Sequence, residues 1–436
     1  MQNILSSLCS LIWGGVFIPL FVICAALLTY HSRAVQIRRF GAALRIPFRK
    51  TQGCRGDFTP LQAASTALAS TIGTGNIIGT AQAVCVGGPG ALFWMWVTAL
   101  LGMVVKYAEI FLASYCQGNI SAPMNYISRA LSTRAAKLFA LSAALSGLGM
   151  GCMTQVSSIR DAVSSLDIFS VLNTQSLSFR LSLGFLIAAV TALLLRSGQS
   201  HIGRAAQLLV PVMSCCFLFC TLSVILVNSR RLASVFAMIF RDAFSFRAAG
   251  GGFSGACLIC GVRRGVFSNE AGLGSAALAH SEVKSSDHTQ QGLWGIFEVF
   301  ADTILICTAT GLAILSSSVP LSAGNPAGAN LLQIAAAGVF GTETATVIVS
   351  GTLCLFAYTT VMAWAVYGSL CANYLFGKKY ADCYTYLYLA AIPISCVMST
   401  GMVWSIADLC NALMSIPNLL SLIVFSKLIG EESRGL

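Results

Sequence analysis

The residues best placed to do chemistry stand in one short stretch, Ser70-Thr71-Ile72-Gly73-Thr74-Gly75-Asn76-Ile77-Ile78-Gly79. It lies inside an apolar run, 60–86, long enough to cross a bilayer. A membrane helix keeps its backbone groups paired, because hydrocarbon offers them no partner. Here glycines at 73, 75 and 79 each weaken the helix by about 1 kcal/mol relative to alanine. A spanning segment built to come apart at its centre lines a cavity and presents freed N–H and C=O groups to something polar. Freed amides suit an anion, and freed carbonyls suit a hard cation. The same glycines also suit close helix packing, a common use of small residues in membranes.

A second set of reactive residues is charged and lies within other apolar runs: Lys106 and Glu109 in one, Glu298 and Asp302 in another. Charge at that depth is costly and marks pathways, pairs or gates. Lys106 and Glu109 are three apart and are expected to pair on one helix face, more as a brace than as transport machinery. Glu298 and Asp302 are four apart without a neighbouring cation, so one is expected to be protonated, to pair with Arg264 or to serve a gate. Glu270, close in sequence to Arg263 and Arg264, reads as part of an inner salt-bridge gate. Thr359 and Thr360 are adjacent hydroxyls in a long apolar run, where such residues commonly bond their own i−4 carbonyls. Gln155 is an amide in mid-helix, and Trp364 lies one turn beyond Thr360 on the same face; for both, a pocket role and a packing role stay open.

The elements that hold these residues follow from composition. The chain has 436 residues, 56% hydrophobic and 9% charged, with mean hydropathy +0.79. Ordinary soluble domains are near 25% charged, so this is a membrane protein and all-α. Eleven spans are predicted, at 11–30, 60–86, 91–116, 137–157, 181–195, 206–228, 248–280, 292–315, 345–376, 384–404 and 409–428. The first has no basic residue before it and many after it, the reverse of a signal peptide, so it is read as a retained helix with its N-terminus outside. Lysine and arginine then concentrate in the inner loops, Arg263 and Arg264 among them, which places the C-terminus inside. The loop between the sixth and seventh spans, with Arg230, Arg231, Arg241 and Arg247, is the exception. The net charge of +11 therefore reports topology and does not imply nucleic acid.

Other classes fit less well. The seventeen cysteines are scattered through apolar runs as small hydrophobes, and the lone Cys257/Cys260 CxxC with only four histidines does not make a metal site. There is no GxSxG and no HExxH, so an enzyme is not expected. Gly73-Thr74-Gly75 lacks the spacing and the preceding strand of a nucleotide-binding loop. No linker or charge run marks a soluble domain, as a sensing receptor would carry, and 1–436 reads as one membrane transport domain.

The seventh span resembles the second. Glycines at 250–252, 255, 261, 265 and 272 leave no unbroken apolar helix of spanning length. An interrupted segment five positions after the first points to an inverted repeat with a binding site at its interface. Each is followed by a helix with a buried acid, Glu109 or Glu298, so the repeats are read as 60–228 and 248–428, with 11–30 outside them.

Several blocks resemble the alanine or glycine:cation symporter family. They are Ile72-Gly73-Thr74-Gly75-Asn76-Ile77, Gly87-Gly88-Pro89-Gly90-Ala91, Trp94-Met95-Trp96-Val97-Thr98-Ala99, Lys106-Tyr107-Ala108-Glu109 and Arg264 to Ala276. Asp302-Thr303, Trp404 to Asp408 and Ile416-Pro417-Asn418 continue the match over nearly the whole chain. The chain departs from the pattern at Cys152, where asparagine is frequent, and between Phe253 and Gly261, shorter by about one helical turn. The resemblance implies a leucine-transporter type of fold with two five-helix inverted repeats in the cell membrane. It implies import of a small neutral amino acid, alanine or glycine, with sodium and no cofactor; serine as substrate or a proton as coupling ion are the alternatives. It assigns the amides of Thr74, Gly75 and Asn76 to the substrate carboxylate, with Gln155, Thr360 and Trp364 beside it. Trp364 would exclude large side chains. It assigns sodium to the carbonyls of Ala69, Ile72 and Phe356 and the hydroxyls of Thr359 and Thr360. A second ion would use Thr71 and Asn76.

Overall fold

A computed structural model describes residues 9, 11–48, 55–56, 59–118, 121–169, 173–244, 254–284, 287–317, 319–321 and 329–434. Apolar side chains without a polar face leave the backbone to satisfy itself, and the chain accordingly forms helix after helix. Among the described residues eight helices are each long and apolar enough to cross a membrane. They are α1 (Ile12–His31), then α4 (Ala91–Tyr115), α5 (Thr133–Ser164), α6 (Leu177–Arg196), α7 (His201–Val227), α11 (His288–Ser316), α13 (Thr342–Phe376) and α15 (Val403–Val424). Two further crossings are broken: α2 (Pro60–Thr71) with α3 (Thr80–Gly87), and α9 (Ser254–Asn269) with α10 (Ser275–His280). With α14 (Lys378–Val397) these make the expected number of spans.

Three placements differ from expectation. The boundary between the last two spans falls at Met398, so Trp404 belongs to the final crossing and not to the tenth. The arginine-rich connection after α7 carries an amphipathic helix, α8 (Leu232–Ala243), whose Val235 and Ile239 are buried while its other face is exposed. Asp242 at its end accepts from the Gly90 amide at 2.8 Å, tying the helix to the start of α4. The connection before α13 contains α12 (Asn330–Phe340). Alternating passage puts α8, α12 and residues 88–90 on one face, and the arginine-rich connection after α1, with residues 116–118 and 281–284, on the other. A two-residue ladder, Arg55–Gly56 against Val283–Lys284, joins the connections preceding α2 and α11 on that basic face.

The first helix is not peripheral. Trp13 Nε1 donates to the carbonyl of Asp408 at 3.1 Å, and Phe17 and Phe21 are fully buried beside it. At the other end α16 (Ser426–Arg434) closes over it, with His31 Nδ1 3.1 Å from Ser426 Oγ and Arg38 donating to the Ser433 carbonyl at 2.9 Å. The N-terminal helix is thus packed against both ends of the last crossing.

Candidate functional site

The first break sits where the glycines place it. Helix α2 ends at Thr71, and Ile72 departs from helical geometry with ψ 88°. The amide of Gly73, which would otherwise reach back to Ala69, donates to Asn76 Oδ1 at 2.9 Å. The amide of Thr74 donates to Gln155 Oε1 at 3.2 Å. Two side-chain amide oxygens therefore take the N–H groups that would have continued the helix, and the carbonyls at its end are released. A Cβ at Gly73 would lie 2.6 Å from Thr360 Oγ1 and 3.2 Å from Gln155 Oε1, so only glycine lets this strand of backbone lie against its neighbours.

The released Ala69 carbonyl meets a hydroxyl from α13, and two hydroxyls of α13 back-bond to one carbonyl of their own helix beside it. Thr360 Oγ1 is 3.0 Å from the Ala69 carbonyl and 3.0 Å from the Phe356 carbonyl, and Thr359 Oγ1 is 2.9 Å from that same Phe356 oxygen. All are buried. Of the five residues assigned to sodium, four are brought into one cluster by these contacts, and Ile72 is the residue at which the helix ends. Thr71 instead back-bonds to Ala67 at 3.1 Å within its own helix, away from any second ion cluster. Asn76 donates to Asp302 Oδ1 at 2.7 Å, and the same carboxylate accepts from Ser268 and Thr303, each at 2.8 Å. Asp302 is fully buried among these neutral donors and has no salt bridge with Arg264, correcting that expected pairing. Thr74 Oγ1, next to this cluster, is buried without a partner among the described residues.

The second break lies later than the glycine run suggests. Residues 250–252 fall outside the described residues; α9 runs unbroken through Gly261 and Gly265, and the chain turns at 270–274. Glu270, Gly272 and Gly274 all have positive φ, 57°, 90° and 78°. For glutamate this conformation costs about 1–2 kcal/mol, and its surroundings hold it. Its carboxylate accepts from Ser275, from Ser70 at 3.2 Å and from Trp364 Nε1 at 3.0 Å, which ties α10, α2 and α13 together. The expected gate between Glu270 and Arg263 or Arg264 does not form. The two arginines lie inside α9, not in a basic loop, and both reach Asp408 of α15, Arg264 at 3.6 Å.

The buried charges pair across helices. Lys106 does not pair with Glu109; it binds Glu298 at 3.3 Å and donates to the Asn269 carbonyl at 2.9 Å, at the end of α9. Glu298 therefore has a cation, and it also contacts His280 Nε2 at 2.9 Å. Glu109 accepts from the Gly274 amide at 3.0 Å and from Asn418 at 2.6 Å, holding the second break to α15. Trp364 is fully enclosed; a Cβ at Gly151 would meet its Cβ at 2.1 Å, so the indole is wedged between α5 and α13. Cys152, the departure from the family pattern, is fully buried one residue further on.

On the face opposite the basic loops a cavity of about 620 Å³ opens, lined by Ile78, Gln82, Arg264, Trp404 and Asp408. At its base Phe267 and Trp404 stack with centroids 4.8 Å apart, and the Arg264 guanidinium lies 5.7 and 5.0 Å from those rings. Beneath them Gly75 approaches so closely that a Cβ would be 3.3 Å from the Phe267 ring. A thin layer of two rings and one cation thus separates the cavity from the first break. Asp408, Phe267, Asn418 and His280 carry these contacts and had no role assigned from sequence. The first three lie within the family-like blocks, which was the available signal.

Two broken helices packed together, with carbonyls and hydroxyls meeting beside one of them and a cavity opening above it, define a secondary transporter of the leucine-transporter architecture. The fold is shared with MhsT crystallised with L-phenylalanine, at TM-score 0.61 and 12% identity, over 88% of this chain and 99% of that one. The chain belongs to the sodium:alanine symporter family, whose family model matches residues 1–434. It is similar to the sodium/alanine symporter AgcS of Methanococcus maripaludis, 35% identical over 99% of this chain and 96% of that protein. It is also similar to the probable sodium/glutamine symporter GlnT of Bacillus subtilis, 32% identical over 98% of this chain and 89% of that protein.

Proposed function

We propose that this protein imports alanine or glycine together with sodium by alternating access across the cell membrane. The observation that carries the reading is the cluster at Ala69, Phe356, Thr359 and Thr360, where the released Ala69 carbonyl meets the Phe356 carbonyl and two hydroxyls of α13 beside the glycine-bearing break. Carbonyl and hydroxyl oxygens grouped in that way suit a hard monovalent cation, and the amides of Thr74, Gly75 and Asn76 suit a carboxylate once those of Thr74 and Asn76 leave Gln155 Oε1 and the Gly73 carbonyl. Gln155, Thr360 and the fixed Trp364 bound the substrate, and the tight Trp364–Gly151 contact supports a preference for small side chains. The repeats are 60–228 and 248–428, with the N-terminus outside and the basic loops and C-terminus in the cytoplasm. The cavity would then face outward, and the junction where Glu270 joins α2, α10 and α13 would belong to the closed inner side.

Competition separates the substrates. Uptake of radiolabelled alanine by cells expressing the protein is expected to be displaced by unlabelled alanine and glycine at low concentration, and poorly by glutamine. Serine as the strongest competitor would favour the serine carrier instead. Glu270 links three elements that must separate for inward release, so Glu270→Gln is expected to slow turnover severalfold while equilibrium alanine binding persists. Lost binding in a well-folded Glu270→Gln protein would instead place that carboxylate in the substrate site.

A further inference from the structure

We propose that the slot between α6 and α7 at the basic face holds one phosphatidylethanolamine from the adjoining leaflet. Its phosphate rests on Arg196 and its ammonium on Asp382.

The slot follows from how the helices pack. A turn at Gly198, with φ 92°, joins α6 to α7, yet the two part at once. α6 lies along α14, while α7 lies against α2 and α13. The gap left between them is about 350 Å³, lined by Ala365 and Val366 of α13 and by Asp382, Tyr386 and Leu389 of α14. It opens sideways: Tyr386 in its wall is 72% exposed, and Leu193 of α6 and Leu208 of α7 are 67% and 69% exposed. Leucines on the open faces of spanning helices meet acyl chains, so the slot is entered from the bilayer.

Its lining changes with depth as a phospholipid does. At 1.5 Å per residue, Asp382 lies about 6 Å from the start of α14, Thr385 about 10 Å and Leu389 about 16 Å. On α13, Ser369 and Val366 lie about 10 and 15 Å from its end at Phe376. Charge, hydroxyl and apolar surface succeed one another in the order of headgroup, ester and chain. The volume takes the headgroup and the upper part of a chain, and the rest lies on the exposed faces of α6 and α7.

Charge selects the headgroup. Arg196 and Asp382 both line the slot and are exposed, and neither forms an ion pair or hydrogen bond among the described residues. A phosphate suits the guanidinium. A purely anionic headgroup would also set its charge beside Asp382, whereas ethanolamine brings that carboxylate a cation with N–H donors. Choline carries the charge without a donor. Lys378 and Lys379, exposed at the start of α14, attract any phosphate and do not line the slot. The helix so braced is α7, whose Met213 sulfur accepts from the Thr359 hydroxyl of the oxygen cluster at 3.7 Å.

Native mass spectrometry of the delipidated full-length protein tests this, with titration of phosphatidylethanolamine, phosphatidylcholine and phosphatidylglycerol of identical chains. One phosphatidylethanolamine is expected to be held at least about tenfold more tightly than either of the others. Arg196→Gln should weaken it at least about tenfold, and Asp382→Asn should lower it to the level of phosphatidylcholine. Both side chains are exposed near helix ends, so both variants are expected to keep the wild-type unfolding midpoint. Soluble phosphoethanolamine, the headgroup without chains, should not displace the lipid. Equal retention of the three lipids, tightest retention of phosphatidylglycerol, displacement by phosphoethanolamine, or retention that survives both substitutions would each overturn the proposal.

Discussion

Thr360→Val is expected to raise the sodium concentration for half-maximal alanine uptake at least about tenfold, a loss of roughly 1.4 kcal/mol or more. Valine keeps the shape of threonine and deletes only the hydroxyl. That hydroxyl sits 3.0 Å from both the Ala69 and the Phe356 carbonyls, so it is the atom common to the two helices at the cluster. Removing it takes away an oxygen ligand and leaves the two carbonyls facing a methyl group. Thr360→Ser, which restores the oxygen, should return the sodium dependence to within a few-fold of wild type. If the hydroxyl merely back-bonds within α13, Thr360→Val will change expression or stability and leave the sodium dependence where it was. Measuring uptake against external sodium at fixed alanine separates the two cases.

The second large effect concerns the buried cation. Lys106→Met leaves Glu298 fully enclosed with His280 as its only charge-capable partner among the described residues. Removing one partner of such a pair costs about 3–5 kcal/mol, because the remaining charge is uncompensated. The same change removes the donor at the Asn269 carbonyl, where α9 gives way to the second break. A sharp fall in the thermal unfolding midpoint of the purified protein is therefore expected, with little active protein at the membrane. Adding Glu298→Gln should recover much of the stability, since the stranded charge is then gone. Recovery by Glu109→Gln and not by Glu298→Gln would mean that the i,i+3 partner is the real one.

That last contrast shows what could be read from the chain alone. The apolar spans and the first break were legible, because bilayer thickness fixes span length and the glycines at 73 and 75 mark where a helix cannot hold; the grouping of Thr360 with Ala69 and Phe356 came from the family resemblance alone. Pairing among buried charges was not. Lys106 and Glu109 are neighbours on one helix face, yet Lys106 points across to α11, and nothing in local spacing reveals what an adjacent helix presents. The second break was placed too early for a related reason. The glycines at 261 and 265 draw attention, but they serve packing: a Cβ at Gly261 would fall 2.5 Å from the Ala91 carbonyl oxygen. The break needed Gly272 and Gly274, spaced like Gly73 and Gly75, and a glutamate forced to positive φ. Arg263 and Arg264 were taken for loop residues because a doubled arginine is rare inside a membrane helix. Asp408, some 145 positions away, is what makes their burial tolerable. The amphipathic α8 was hidden by its arginines, and they are compatible with a helix lying along the membrane face.

The claim at the centre of this account is that the two broken helices couple an amino acid to sodium. Purified protein in proteoliposomes, loaded without sodium and diluted into sodium, should accumulate radiolabelled alanine above equilibrium. That accumulation should collapse when sodium is present on both sides, and an imposed proton gradient alone should not replace it. Accumulation driven by the proton gradient in the absence of sodium, or no gradient-driven uptake of alanine, glycine or serine at all, would contradict it.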